Sequence, residues 1–540
     1  MGDLFNVSLV VYMLFSTFPQ MRRFNVTGLC FPDQDYMVDI SNKVSQIMVM
    51  VERGDYFTIN RARQYGKTTT IRQLEKTLLE KGYLVARISF EGVGDTPFEN
   101  ENNFCLNLLR QISEAFDMHN IKGYRLWRDR TITSFDKLDV FLNKMCKDKK
   151  VVLIIDETDK TSNNLVFLRF IGMLRDKYLE RKNPKKATFQ SVILAGVYDI
   201  KNLKVKLVKS GHYQLKDSEK RINSPWNIAA DFEIDMSFSA SEIITMLNEY
   251  EKDHKTGMDT EAVSREIRAY TNGYPYLVSR ACKIIDETLE KDWTVRGVQK
   301  AVKKMTMERT VLIDDMAQNV QTYPELRDLM YNIVVKGETF TFNSMDSAME
   351  LGLLFGFLRK ENEFIHVNNK IFETVLYEYF IHKERMSGKG VRGELVHNIV
   401  EKGKFNMPLA IKKFMQHYYE LYHANRASFL EDECRLLFLT FLQPLINGSG
   451  FYHIEPETRN RQRMDVIVDY NSEQFIIELK IWHGEQKHEK AHEQLIEYLN
   501  SKNRSEGYLL TFDFRKRRAR KPSAKWVRKS RKKFLDCLAV

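Results

Sequence analysis

The stretch from Tyr56 to Thr68 constrains this chain most. Tyr56-Phe57-Thr58-Ile59-Asn60 is a short β-branched and aromatic run that reads as a strand. It passes through Arg61-Ala62-Arg63-Gln64-Tyr65-Gly66-Lys67-Thr68 into a helical pattern ending near Lys81. A strand, a tight loop and a helix in that order curl backbone N–H groups around an anion at a helix N-terminus, within reach of a lysine. Gly66-Lys67-Thr68 supplies the second half of the GxxxxGK(S/T) signature, but Arg61 stands where the first glycine is expected. The loop by itself leaves two readings: a phosphate cradle, or an ordinary β–turn–α connection whose glycine permits a tight turn.

A second feature further along favours the cradle. Val151-Val152-Leu153-Ile154-Ile155 is fully apolar, as a parallel strand buried on both faces requires, and it ends in Asp156-Glu157. An acid at that end of a buried strand is where Mg²⁺ is held beside a nucleotide, and a second acid can activate the attacking water. Together the loop and the strand point to ATP with Mg²⁺. Lys67 is expected on the β- and γ-phosphates, Thr68 and Asp156 on the metal, and Glu157 as the base. Arg61, Arg63, Gly66 and Thr69 complete the expected nucleotide-binding set. Strands at Tyr83–Phe90 and Ser191–Gly196, alternating with helical stretches near 98–116 and 135–147, predict a doubly wound α/β domain over about 30–235.

The remainder changes rhythm twice. From Ser239 to about 320 the pattern is helical. Around 325–385 further helices precede Phe355–Val367, which alternates about Glu361-Asn362-Glu363 like a hairpin, the pattern of a winged helix. Then come a long helix at Ser428–Ile446 and strands at Phe451–Glu455, Met464–Tyr470 and Gln474–Ile481. A helix near Glu489–Leu499 and a strand at Gly507–Phe512 follow, so the order is αβββαβ.

That last segment carries a second candidate chemistry. Metal-dependent phosphodiester hydrolysis needs carboxylates for Mg²⁺ and a lysine to orient water. Strand period two places Glu478 and Lys480 on one face, with Leu479 turned the other way. If the two preceding strands pair as a hairpin, Asp465 approaches Glu478, and the spacing D-x12-ExK fits the PD-(D/E)xK nuclease pattern. Glu433 on the preceding helix is the candidate to complete the metal shell, and Gln494 on the following helix the candidate polar partner. A competing motif, His488-Glu489-Lys490-Ala491-His492, spells HExxH, which on a helix sets two imidazoles on one face for zinc, with Glu489 as a protease base. Its third ligand would have to be Glu506 or Asp513. Histidines in a Lys/Glu-rich stretch, His483 included, read instead as a solvated face.

With these motifs in hand the chain resembles the AAA-ATPase-like family commonly fused to a PD-(D/E)xK nuclease domain. Arg61–Thr68 looks like that family's RxRxxGKT loop, in which the arginine is normal, and Asp156-Glu157-Thr158-Asp159-Lys160 is similar to its DExDK stretch. Leu194–Tyr198, Ser224–Ala229 and Gly273-Tyr274-Pro275-Tyr276-Leu277 look like further landmarks, the last resembling the GxP element that meets the nucleotide through a helical lid. The resemblance spans roughly residues 21–515 and implies a P-loop ATPase core at 21–237 and a helical lid at 238–322. It implies a winged-helix-like part at 323–388 and a nuclease-like domain at 389–514, after which the charge count places a basic tail at 515–540. It implies an ATPase whose nucleotide state gates a nuclease, the alternative being a switch whose nuclease-like domain only binds. Arg221 and Arg280 are both candidate sensor arginines.

Charge points to the partner. Of the 83 bases, twelve lie between Arg515 and Lys533 with no acid among them, so 71 bases remain against 72 acids elsewhere. Such a block is expected to stay solvated and to attract a polyanion through counterion release, which makes nucleic acid, DNA first, the expected partner. Whether the chain forms a homo-oligomer stays open. Six cysteines without a C-x-x-C pair argue against a disulfide scaffold and fit a reducing cytoplasm. The apolar run Leu4–Phe18 falls short of the ~20 residues a membrane span needs, and Asp3 replaces the positive start of a signal peptide. Residues 1–20 therefore read as an extension ahead of Met21, and no membrane is expected.

Overall fold

The computed structural model describes residues 22–121, 131–158, 164–183, 186–196, 226–336, 338–384, 399–401, 404–422, 431–446, 450–453, 466–470, 473–515 and 521–540. The extension at 1–20, Asp159-Lys160, Val197-Tyr198, Arg221, Ser224-Pro225 and Asp465 fall outside them. The chain divides into two compact units, Met1–Val298 with Leu354–Gly356, and Gln299–Leu353 with Phe357–Val540. Among the described residues no helix is long and apolar enough to cross a membrane.

The first unit is built on a parallel sheet. Its elements run α1 Ser41–Arg53, β1 Phe57–Asn60, α2 Lys67–Glu80, β2 Leu84–Ser89, α3 Glu101–Met118, α4 Phe135–Cys146, β3 Val151–Asp156, α5 Leu165–Glu180 and β4 Ser191–Gly196. The strands lie in the order β1-β4-β3-β2, all parallel. Every residue of β3 and β4 is buried, which is why both read as unbroken apolar runs. On one face Val151, Leu153, Ile155, Val192 and Leu194 pack with apolar residues of α3, α4 and α5 in a single cluster. Val152, Ile154 and Ile193, which alternate with them, are buried equally, so the opposite face is covered too. The doubly wound α/β expectation for this region is met. Phe57 adds a single parallel bridge to Ala230 on the far side of β1.

Three helices follow in the same unit: α6 Ala240–His254, α7 Thr260–Thr271 and α8 Pro275–Thr288. Each begins on a local signal. Ser239 and Glu242 form a capping box at α6, the Asp259 side chain accepts from Ala262 N at α7, and Pro275 opens α8 at its first position.

The second unit includes α9 Val311–Thr322 and α10 Pro324–Tyr331, followed by β5 Phe340–Thr341, β6 Leu358–Glu361 and β7 Phe364–Val367. These strands form a small antiparallel sheet in the order β5-β7-β6. The β6–β7 hairpin turns where the alternation predicted, with Asn362 left-handed at φ 55°. After α11 Lys370–Glu384 come β8 Val400–Glu401, β9 Lys404–Phe405, α12 Met407–Tyr422 and α13 Glu431–Ile446. Then follow β10 Gly450–His453, β11 Val466–Tyr470, β12 Glu473–Ile481, α14 Glu485–Ser501, β13 Glu506–Phe512, β14 Ser523–Lys529 and β15 Lys532–Ala539. From α13 to β13 the order is the αβββαβ read from the sequence. The six-stranded sheet has the order β10-β11-β12-β13-β15-β14, antiparallel from β10 to β12 and parallel from β12 through β13 to β15.

The basic tail expected at 515–540 needs correction. Over 521–540 it is a β-hairpin that continues the sheet. β15 pairs with β13 over seven residues and buries Phe534-Leu535-Asp536-Cys537, and only β14 lies at the edge. The charge count hid this, because the apolar run that drives the strand into the core lies just beyond the last lysines. The turn hid it as well. Ser530 and Arg531 both adopt left-handed φ, at 52° and 62°, a two-residue hairpin geometry normally announced by Asn or Gly.

Candidate functional site

The loop between β1 and α2 is shaped by two left-handed residues, Gln64 at φ 57° and Gly66 at φ 75°. Gly66 occupies the N-cap of α2, no side chain caps that terminus, and no acid lies in its first turn. Its leading N–H groups are therefore not satisfied by capping side chains, the condition that favours an anion. Lys67, 7% exposed, folds back across the loop and donates to the carbonyls of Arg61 and Ala62 at 2.9 and 3.0 Å. Thr70 Oγ1 donates to Gly66 O at 3.0 Å.

The acidic strand reaches the same place. Asp156, at the end of β3 and 3% exposed, accepts from the Glu157 N–H at 3.0 Å and from the Thr68 hydroxyl. Burial pushes its carboxyl above the ordinary range. The Glu157 N–H, the Thr68 hydroxyl and the charge of Lys67 oppose that rise. Lys67, Thr68 and Asp156, chosen from two separate segments, are thus brought together. Glu157 follows with a left-handed φ of 53°, a conformation that costs a non-glycine residue free energy and clusters at functional sites. Thr69 lines the adjoining cavity.

Two expected loop residues are placed differently. Arg61 turns its half-buried guanidinium to the carbonyls of Asn60 and Ile234, both at 2.8 Å, and lies over the Phe232 ring. Its carbonyl, rather than its charge, serves the site, because a half-buried guanidinium is satisfied by carbonyls of its own domain. Arg63 is exposed, and its carbonyl accepts from Tyr274 Oη at 2.6 Å.

That last bond ties the Gly273-Tyr274-Pro275 element to the loop. The Tyr274 ring meets Tyr65 edge-on at 4.6 Å between centroids. Gly273 has φ +69°, and its carbonyl accepts from Phe238 N at 2.8 Å; a Cβ there would lie 2.0 Å from Phe238 O. A cavity of about 300 Å³ lies beside the loop, lined among others by Gly66, Thr69, Thr70, Met236, Phe238 and Pro275. This is the lower end of the size range for small-molecule sites. The tyrosine-to-loop bond was not legible beforehand, since nothing in a Gly-Tyr-Pro triplet specifies where its hydroxyl will reach. Arg280 lies half-buried on α8.

In the second unit Glu478 on β12 is 1% exposed, and its Oε1 lies 2.8 Å from Nζ of Lys480 on the same strand face. β11 enters the described residues at Val466, which pairs with Ile477 beside Glu478. Asp465 and the side chain of Glu433 lie outside the described residues. Gln494 is exposed on α14, while Ala491 and Leu495 of that helix face the core.

The histidines of the HExxH stretch are not on a solvated face, which corrects the sequence reading. His488 and His492 each place Nε2 3.2 Å from Oδ2 of Asp536, and His492 is 7% exposed. Asp536, within the stretch read as a tail, is the acid that meets both rings, in place of Glu506 or Asp513. An acid inside the apolar run Phe534–Leu538 was the available signal. Glu489 bonds Nδ1 of His492 at 3.1 Å and pairs with Lys529, so it stands on the opposite edge of the ring from Asp536. A protease base would have to face the other way.

The sequence profile of the AAA-like domain family matches residues 36–380. Among solved structures the chain is similar to the Walker-type ATPase of Pyrococcus abyssi at 12% identity and a TM-score of 0.45, covering 65% of this chain and 99% of that one. It is similar to the ORC2 protein of Aeropyrum pernix, solved in ADPNP–ADP complexes, at 12% identity and a TM-score of 0.35, covering 64% and 94%. Cdc6p of Pyrobaculum aerophilum gives 14% identity and a TM-score of 0.30, covering 64% and 94%. Scores this low carry no argument about function. No curated protein matches the chain.

Proposed function

The chain belongs to the AAA-like domain family, and from that premise we propose that its first unit binds and hydrolyses ATP. The observation that carries the proposal is the convergence of Lys67, Thr68 and Asp156 at the uncapped start of α2. On binding, Lys67 exchanges its two loop carbonyls for β- and γ-phosphate oxygens. Thr68 and Asp156 offer the hard oxygen ligands that suit Mg²⁺, which when bound neutralises charge on the phosphates. Glu157 orients the attacking water, and the neighbouring cavity receives the nucleoside. Lys67→Ala should abolish ATP turnover by the full chain; turnover at the wild-type rate would remove the proposal.

For the second unit we propose a PD-(D/E)xK-type nuclease whose activity follows the nucleotide state, with DNA as substrate. The buried Glu478 paired with Lys480, within an αβββαβ order, supports this reading. Asp465, Glu478 and Glu433 are the proposed Mg²⁺ ligands, Lys480 orients water, and Gln494 assists from α14. The edge hairpin supports nucleic acid as the partner. Lys525, Arg528 and Arg531 are exposed around Trp526, itself 43% exposed, the mixture of cations and aromatic surface that holds a polyanionic strand. Lys480→Ala should abolish Mg²⁺-dependent cleavage of DNA and leave ATP binding intact. If wild type cleaves no phosphodiester with Mg²⁺ or Mn²⁺, with or without ATP, the second unit is a binding module under nucleotide control.

A further inference from the structure

The histidine–aspartate cluster of the second unit has no part in either proposed site, and its geometry is specific. His488 lies in the first turn of α14 and His492 one turn later, so both imidazoles project from one helix face. The neighbouring sheet supplies Asp536 on β15 opposite them. One donor atom from each of the three side chains lies within 4.8 Å of the others, and both Nε2–Oδ2 separations are 3.2 Å. Ligands bound about 2.0 Å from a tetrahedral ion stand about 3.3 Å apart, so these separations suit a common centre.

The surrounding bonds orient the donors. Glu489 Oε2 lies 3.1 Å from His492 Nδ1 and accepts from it when that nitrogen carries the ring proton, and Lys529 pairs with the same carboxylate. Nε2 then meets Asp536 either as the second N–H of an imidazolium or as a lone pair beside a cation. His488 Nδ1 has Thr511 Oγ1 at 3.4 Å. A carboxylate or hydroxyl on the far nitrogen of each ring is the usual support for a metal-bound histidine. Trp482 lies against His488 at 4.8 Å and Phe534 against His492 at 4.9 Å, forming an apolar wall.

We propose that His488, His492 and Asp536 bind one divalent transition-metal ion of the zinc class. Two imidazole nitrogens and one carboxylate oxygen suit borderline ions such as Zn²⁺ and Co²⁺ better than Mg²⁺, which prefers oxygen ligands and water. Three protein ligands leave a fourth position for water or substrate. The site tethers the start of α14 to β15. It also shares a row across the sheet with Glu478, since Glu478 pairs in register with Leu509 and Leu509 with Asp536. Two strand spacings put the backbones of Glu478 and Asp536 about 10 Å apart. The inference is independent of the nuclease reading.

The test is titration of chelator-treated full-length protein with Zn²⁺ by calorimetry, and with Co²⁺ by visible absorption. One equivalent should bind, and Co²⁺ should give the intense ligand-field bands of a tetrahedral site. His492→Ala should remove that equivalent. His488→Ala, at a half-buried position of the first helical turn, should weaken it at least tenfold. Glu489→Gln, which acts only through the ring of His492, should weaken it about 10- to 100-fold. Far-UV circular dichroism and retained ATP binding report that each variant is folded. Absence of saturable binding in wild type, or one equivalent retained in the His488→Ala/His492→Ala double variant, would leave only a hydrogen-bonded ion cluster and overturn the proposal.

Discussion

Replacing Gly273 by alanine tests whether the Gly-Tyr-Pro element sets the nucleotide loop. The added Cβ meets two obstacles of different origin. Gly273 has φ +69°, and an L side chain in the left-handed region costs roughly 1–2 kcal/mol. The same Cβ would stand 2.0 Å from Phe238 O and 2.7 Å from Phe238 N, so the two backbones must separate. Separation breaks the 2.8 Å bond from Phe238 N to Gly273 O, at about 1–3 kcal/mol for groups left unsatisfied away from water. The total is about 2–5 kcal/mol. Gly257 provides the control, since it has φ +75° with nothing within 4 Å of an added Cβ, so its alanine variant carries the first cost alone. Urea unfolding of both variants, followed by far-UV circular dichroism, measures the difference. Because Tyr274 and Pro275 follow directly, Gly273→Ala should also weaken binding of a fluorescent ATP analogue severalfold, while Gly257→Ala should not. If Gly273→Ala destabilises no more than Gly257→Ala, the close approach of the two backbones is not what holds this element, and the reasoning fails.

Two other perturbations probe separate parts of the chain. Tyr274→Phe deletes only the hydroxyl bonded to Arg63 O, worth roughly 0.5–1.5 kcal/mol, and should weaken ATP analogue binding by about two- to tenfold with an unchanged dichroism spectrum. Glu378 on α11 is pushed up to about 7 by burial, above its ordinary 4.5. Stability associated with this group is therefore complete below pH 4.5 and is lost as pH rises through 7, so Glu378→Gln should stabilise the second unit at pH 8 by about 1–2 kcal/mol and leave it unchanged at pH 4, as read from urea midpoints.

Much of the first unit was legible because its signals are local. An unbroken apolar run such as Val151–Ile155 has few alternatives to a central strand, and a lysine–threonine pair after a left-handed glycine has few alternatives to a helix start. The direction of the Arg61 side chain was not legible, because where a long side chain points depends on which carbonyls lie nearby, here Asn60 and Ile234. The left-handed Glu157 left no mark in the sequence, since acids occupy that conformation only under constraint from the surrounding fold.

The C-terminal residues show where sequence reading stops. Period and composition were enough to set β12, α14 and β13, and to put Glu478 and Lys480 on one strand face, because hydrophobic alternation depends only on neighbours along the chain. That Asp536 would meet His488 and His492 depended on β15 returning beside β13, a pairing between segments with β14 between them in the chain. Contacts of that kind are chosen by which apolar surfaces bury one another, and a string of residues carries no record of that choice until the sheet has formed.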